Sequence, residues 1–160
     1  MKRFERPLLG FLSREEIHAI LAAPDRTTWS GKRDHVLLTT LYNTGARVSE
    51  VIGMRVADVV LSGSPSVHIC GKGRKERLTP LWRGTAKLLA HWMALVKQNA
   101  DAPVFPNRAG LPLTRSGVEQ RLRAAVALAR QRCPSLEGRR VSPHTIRHTT
   151  AMHLLQSGVD

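Results

Sequence analysis

Leu41-Tyr42-Asn43-Thr44-Gly45-Ala46-Arg47-Val48-Ser49-Glu50 reads as the end of one helix, a turn and the start of another, with an arginine at the join. Upstream, from about Arg33 to Asn43, Val36, Leu37, Leu38, Leu41 and Tyr42 are spread round the whole helical circumference. A helix that is apolar on every side belongs inside a core, so this segment is predicted to be the buried central helix. Gly45 ends it, because glycine tolerates the left-handed conformation that closes a helix. The next helix is predicted to begin between Arg47 and Ser49 and to run to Met54, which sets Arg47 beside free amides at a positive helix end.

Toward the N-terminus, Ser13-Arg14-Glu15-Glu16 is a capping box, and Ile17, Ile20 and Leu21 follow at helical spacing. That short amphipathic helix is expected to end near Pro24. In the other direction the period changes between Val56 and Leu81. Val59 to Leu61, Val67 and Ile69 around His68, and Arg77 to Thr79 are separated by Gly63-Ser64-Pro65 and by Gly71 to Lys75. This predicts a small three-stranded antiparallel sheet whose second turn carries the lysines. Leu88, Leu89, Trp92, Met93, Leu95 and Val96 form one stripe, with Lys87, Ala90, Ala94 and Lys97 opposite, as on a surface helix. After a loop from Pro103 to Pro112, Thr114 starts a helix with the inner stripe Val118, Leu122, Ala125, Val126 and Ala129, closed by Cys133-Pro134. Ser142-Pro143 supplies an N-cap and a first-turn proline for a last helix running to about Gly158. At 100° per residue His144, His148, Ala151 and Leu155 share a narrow arc with Arg147 beside them, so this polar first turn is expected on the inner face. The fold class is α+β, mainly helical with one small antiparallel sheet.

At 160 residues and 42% hydrophobic the chain fits one domain with one core. Its 25 lysines and arginines stand against 12 acids, for a net charge of +13, and they are spread along the chain instead of forming a tail. A folded surface that faces a polyanion fits this distribution. Aromatic residues are only 4% of the chain, which disfavours the base-stacking platforms of single-strand and RNA binders and favours duplex DNA held by its phosphates. Cys70 and Cys133 lack a Cys-x-x-Cys partner, so neither a zinc site nor a secreted disulfide framework is indicated. The apolar run from Pro7 to Leu12 is too short for a membrane span.

Arginine stays charged in a protein, so Arg147 is expected to face either a carboxylate or an anionic ligand. Arg47, one hundred positions earlier, could by itself be a surface partner of Glu50. The loop Gly71-Lys72-Gly73-Arg74-Lys75-Glu76-Arg77 could by itself be a solvated hairpin, and it lacks the spacing of a nucleotide-binding P-loop. His144 and His148 have metal-compatible i, i+4 spacing, but the glutamate of the zinc-protease motif is absent and Arg147 would repel a cation. His148 is read as a hydrogen-bonded core histidine, and His68, His91 and His153 as incidental.

In this order, Leu41 to Glu50, the loop Gly71 to Arg77 and His144-Thr145-Ile146-Arg147-His148 resemble the tyrosine recombinase or phage integrase family, from Phe11 to Asp160. The resemblance implies a DNA breaking-rejoining catalytic core that works on duplex DNA through a 3′-phosphotyrosine bond, without metal or other cofactor. Arg47 and Arg147 would hold the non-bridging oxygens of the scissile phosphate, and Lys72 would protonate the departing 5′ oxygen. His144 would accept a proton or bind the phosphate, Glu50 and His148 would support the site, and Arg74, Lys75 and Arg77 would touch DNA. The resemblance further implies that residues 1–12 are an extension leading from a core-binding domain, and that 13–160 form a catalytic domain stopping short of the nucleophilic tyrosine. Tyr42, the sole tyrosine, lies in the expected central helix and is rejected as the nucleophile. A homo-oligomer on DNA, in the cytoplasm with the nucleoid, is the expected setting. The alternative is a non-catalytic DNA-binding fragment of a mobile-element protein.

Overall fold

Helix α2 (Trp29–Thr44) organises the molecule, as its apolar circumference predicts. It starts four residues before Arg33 because Thr28 caps it, its hydroxyl accepting from the Gly31 amide. Gly31 is required there, since a Cβ would lie 1.7 Å from the Asp25 carbonyl oxygen. Val36, Leu37, Leu38, Leu41 and Tyr42 are all buried. The computed structural model describes residues 10–96 and 99–158. Around α2 stand α1 (Arg14–Ala22), the short α3 (Val48–Ile52), α4 (Arg83–Val96), α5 (Arg115–Ala129) and α6 (Pro143–Gln156). Strands β1 (Val59–Val60), β2 (Ser66–Cys70) and β3 (Glu76–Pro80) form an antiparallel sheet in that order. The α+β, mainly helical class read from sequence is the one observed.

Local signals act where the sequence places them. Ser13 and Glu16 form both halves of the capping box of α1. Thr114 caps α5, whose buried residues are Val118, Leu122, Ala125, Val126 and Ala129. Cys70 faces Glu76 and Ile69 faces Arg77 across the β2–β3 ladder. Side chains alternate across a strand, so Val67 and Ile69 enter the core while His68 and Cys70 take the other face. Gly73 and Arg74 both have positive φ (73° and 62°), the geometry of a tight hairpin turn, and the Gly71 amide donates to the Lys75 carbonyl to close it.

Helix α6 departs from expectation. Its inner face is Ile146, Thr149, Thr150 and His153, whereas His144, His148, Ala151 and Leu155 point outward. The polar inner residues are matched by partners. The Thr149 hydroxyl accepts from the Leu12 amide (3.0 Å) and donates to the Thr145 carbonyl (2.7 Å). Thr150 donates to the Tyr42 carbonyl at 2.7 Å. His153 bridges the Tyr42 hydroxyl (2.6 Å) and the Leu12 carbonyl (2.8 Å), so it is a core residue and not incidental. Helix α4 also has a narrower inner stripe than expected: Thr85, Ala86, Leu89 and Trp92 are buried and Leu95 is exposed. Lys97 lies outside the described residues.

Of the extension expected over residues 1–12, residues 1–9 lie outside the described residues. Leu12 is completely buried, and Phe11 packs edge-on against His148 and His153. Leu12→Ala is therefore expected to lower unfolding free energy by about 2–5 kcal/mol, the range for truncating a core leucine, when measured by chemical denaturation. A loss near zero would mark Leu12 as part of a loose linker.

Candidate functional site

The turn after α2 fixes the first arginine. Gly45 closes α2 in the left-handed conformation (φ 66°), its amide bonding back to the Leu41 carbonyl. A Cβ there would come within 3.3 Å of the Thr150 methyl group, so the turn lies close against α6. The Gly45 carbonyl accepts from Arg147 Nε at 2.8 Å. This bond uses the inner edge of the guanidinium. Arg147 is half-buried, its side-chain bond goes to a carbonyl and not to an internal acid, and it lines a hollow of about 180 Å³.

That hollow is walled by Ala46, Arg47, Val48, Ser49, Arg115, Pro143, His144 and Arg147. The two arginine motifs therefore converge. Three arginines and a histidine face the space and, among the described residues, no carboxylate lines it, so its chemistry suits an anion and opposes a metal ion. His144 comes from the first turn of α6, exposed and beside the arginines. Arg115, at the start of α5, was not singled out from the sequence, where it is one of several arginines along that helix; only the packing of α5 against this wall distinguishes it.

Arg47 is the N-cap of α3 and its side chain is 57% exposed. Its own amide is capped, because Glu50 Oε1 accepts from it at 2.9 Å. Glu50 is buried and also binds Arg77 of β3 through both terminal nitrogens, at 3.2 and 3.3 Å. Its contact with the Arg47 guanidinium is longer, 3.8 Å. The same carboxylate thus holds the backbone of Arg47 and ties the sheet to α3. Gly71 is needed beside it, since a Cβ would lie 2.8 Å from Glu50 Oε2. Burial pushes the Glu50 carboxyl up, but the Arg77 hydrogen bonds, the Arg47 amide and both arginine charges outweigh it and hold the group below its ordinary value.

A second hollow, of about 510 Å³, is lined by Arg47, Glu50, Gly71, Lys72, Lys75, Glu76 and Arg77. Arg47 borders both spaces, which places the hairpin ammonium of Lys72 in the space adjoining the arginine pair. Lys72, Arg74 and Lys75 are exposed on the turn. Arg77 differs from them because its guanidinium is engaged by Glu50. His148 is not brought to the hollow. It is exposed, stacked edge-on with Phe11 at 5.8 Å, and so is neither the core histidine expected nor a lining residue. Tyr42 is buried among Trp82, His18 and His153, and burial raises its hydroxyl pKa.

In this mainly helical domain, then, two arginine motifs meet at one hollow and a hairpin-borne lysine lies in the adjoining space. The chain matches the Phage integrase family over residues 10–160, and it belongs to that family. It is 44% identical over 159 residues to the Sinorhizobium fredii protein y4rC, whose name places it among integrases and recombinases; the match covers 99% of this chain and 48% of that protein. It is 34% identical to the tyrosine recombinase XerD of Staphylococcus epidermidis, covering 99% of this chain and 53% of the relative. The chain thus spans about half the length of these relatives. Among solved structures, XerA recombinase superposes with a TM-score of 0.79 at 25% identity, over 94% of this chain and 52% of that one. The XerH recombinase bound to its difH substrate in a pre-cleavage complex gives 0.76 at 24% identity, over 92% and 43%.

Because the folded-state pKa of Glu50 is depressed, its clamp contributes fully above the ordinary carboxylate value of 4.5 and is lost as pH falls through the lower folded-state value. Glu50→Gln is expected to lower the melting temperature at neutral pH and to remove part of the acid-side loss of stability. Glu16, also depressed, despite its burial, by Ser13, Ser135 and Arg139, and Asp25, held down by its hydrogen bonds from Thr27, contribute to the remainder. A melting profile of Glu50→Gln that parallels the parent at every pH would show that the clamp contributes nothing.

Proposed function

We propose that this chain is the phosphate-activating part of a site-specific tyrosine recombinase, which cuts and rejoins duplex DNA through a 3′-phosphotyrosine bond. The observation that supports this most is the convergence of Arg47 and Arg147 on one hollow without carboxylates, with Lys72 in the space next to it. The likeness to the tyrosine recombinase XerD, at 34% identity over 99% of this chain, and the net charge of +13 support duplex DNA as the partner. In the reaction a tyrosine hydroxyl attacks phosphorus and the bond to the 5′ oxygen breaks. His144 takes the proton of the attacking hydroxyl, Lys72 gives one to the departing oxygen, and Arg47 and Arg147 neutralise the charge growing on the non-bridging oxygens. Glu50 positions Arg47 by holding its amide. Arg74 and Lys75 contact the DNA backbone, and Arg77 serves mainly to fix the hairpin through Glu50. Assembly as several copies on DNA, in the cytoplasm with the nucleoid, belongs to the same reading.

Tyr42 is the sole tyrosine in the 160 residues, and its hydroxyl is bonded to His153 inside the core. It is not the attacking group. The attacking tyrosine therefore comes from outside these residues, and the 160-residue chain alone is expected to form no covalent adduct on a nicked suicide duplex. The buried tyrosine equally favours a second reading, a non-catalytic DNA-binding fragment. Supplying the attacking tyrosine from a longer chain separates the two: adduct formation that disappears with Arg147→Ala supports the enzyme, and no adduct supports the binder.

Arg47→Ala removes an exposed side chain and should change stability by no more than about 0.5 kcal/mol. It is expected to weaken duplex binding and to reduce the slope of log K against log salt by about one, as loss of one phosphate contact does. Fluorescence anisotropy across a salt series measures both. An unchanged slope in Arg47→Ala and in Arg147→Ala would remove the phosphate assignment.

A further inference from the structure

The outward face of the β2–β3 hairpin gathers a second set of chemical groups, none of which lines the arginine hollow, although Glu76 also borders the space that holds Lys72. His68 and Cys70 lie two residues apart on β2, and Glu76 stands directly across from Cys70 on β3. Alternation turns all three to the face opposite Val67, Ile69 and Arg77, the residues that meet the core and Glu50. Their ligating atoms, one imidazole nitrogen, the thiol sulfur and one carboxylate oxygen, lie within 4.8 Å of one another. Cys70 is free and exposed. Behind the imidazole, Asp58 Oδ1 lies 3.6 Å from His68 Nδ1, while His68 Nε2 points to Glu76 at 2.8 Å.

We propose that His68, Cys70 and Glu76 form a binding site for a divalent transition metal of zinc type, with Asp58 as the carboxylate behind the histidine. Imidazole, thiolate and carboxylate are the three donor classes that such a metal accepts, and a carboxylate on the far ring nitrogen is the usual device for orienting a metal-bound histidine. Three protein ligands leave a fourth position for water. Bonds of about 2.0–2.3 Å in a tetrahedron place donor atoms roughly 3.3–3.8 Å apart, so closing this set takes about an ångström of movement. The Cys70 and Glu76 side chains are exposed and free to make it. Loss of the thiol proton on binding gives the set two negative charges against the dication, with a third on Asp58.

The placement has a mechanical result. Cys70 and Glu76 are the residues on either side of the turn Gly71–Lys75, so a metal held by both closes the base of the loop that carries Lys72. The ion takes no part in strand cleavage. It limits how far the hairpin lysine can move, from the face of the sheet that does not touch the phosphate hollow.

Cobalt(II) titrated into the reduced 160-residue chain tests this without DNA. One equivalent should bind, with a thiolate-to-cobalt charge-transfer band in the near ultraviolet and visible d–d bands of tetrahedral intensity, both reversed by zinc. Cys70→Ser should abolish the charge-transfer band. His68→Ala and Glu76→Gln should each weaken binding by at least tenfold, and Asp58→Asn by about tenfold, as loss of an outer partner does. Cys133→Ala, at the buried cysteine, should leave the spectrum unchanged. Zinc should also slow trypsin cleavage after Lys72, Arg74 and Lys75, and Cys70→Ser should lose that protection. No saturable band, or a band that survives Cys70→Ser, overturns the site; binding without protection overturns the clamp on the loop.

Discussion

The bond from Arg147 Nε to the Gly45 carbonyl, 2.8 Å long, is the contact on which the site depends. It joins residues 102 positions apart in the chain, and it is favoured because Gly45 takes the left-handed conformation and has no Cβ to crowd Thr150 of α6. A hydrogen bond from a charged donor stabilises by about 1.5–3 kcal/mol, enough to matter where the rest of the turn is exposed. Its geometric effect is larger than its energy. With Nε fixed on a carbonyl, the terminal nitrogens of a side chain that lines the hollow are left as donors, the pair that suits two phosphate oxygens.

A second constraint runs through Glu50. One buried carboxylate accepts the Arg47 amide, chelates Arg77 and fills the space left by the missing side chain of Gly71. It therefore sets the distance between α3 and the hairpin. Arg47 is held by its backbone while its side chain stays largely in solvent, an arrangement that keeps the charge available. The relation between the two sides of the site, arginines on one and hairpin lysine on the other, is set by a buried group that borders only the hairpin side.

Much of this was legible in the sequence, and the failures have a common cause. The central helix, the sheet, the Ser13, Thr114 and Ser142 caps and the inner stripe of α5 follow from periodicity and capping chemistry, because in each the apolar pattern and the local signal agree. In α6 they disagree. Its inner face is docked by Thr149, Thr150 and His153 through hydrogen bonds to Leu12 and Tyr42, while Leu154 and Leu155 face out. An apolar-stripe argument applied to such a helix selects the wrong side, and so it turned His144 and His148 inward. The convergence of Arg47 and Arg147 was reached by resemblance of motifs, not by any spacing rule. Arg115 and the pairing of Cys70 with Glu76 were invisible for the opposite reason: each depends on strand register or helix packing, which residue type alone does not reveal.

The distribution of acids explains how a chain of net charge +13 can be both folded and strongly anion-attracting. Glu16, Asp34 and Glu50 are buried, and each is matched to arginine: Glu16 to Arg139, Asp34 to Arg33 and Arg121, Glu50 to Arg77. Spent in this way, the acids brace elements from within, α1 to the segment before α6, α2 to α5, and α3 to β3. Turned inward, they leave Arg147 bonded to a carbonyl instead of an acid, while Glu119 meets Arg115 at 3.5 Å and Glu50 reaches Arg47 only at 3.8 Å. Asp34 shows the cost, since its burial raises its pKa even beside two arginines. Positive potential at the hollow therefore comes both from the arginines gathered there and from turning carboxylates inward, and the same carboxylates brace the elements that carry the exposed guanidinium groups.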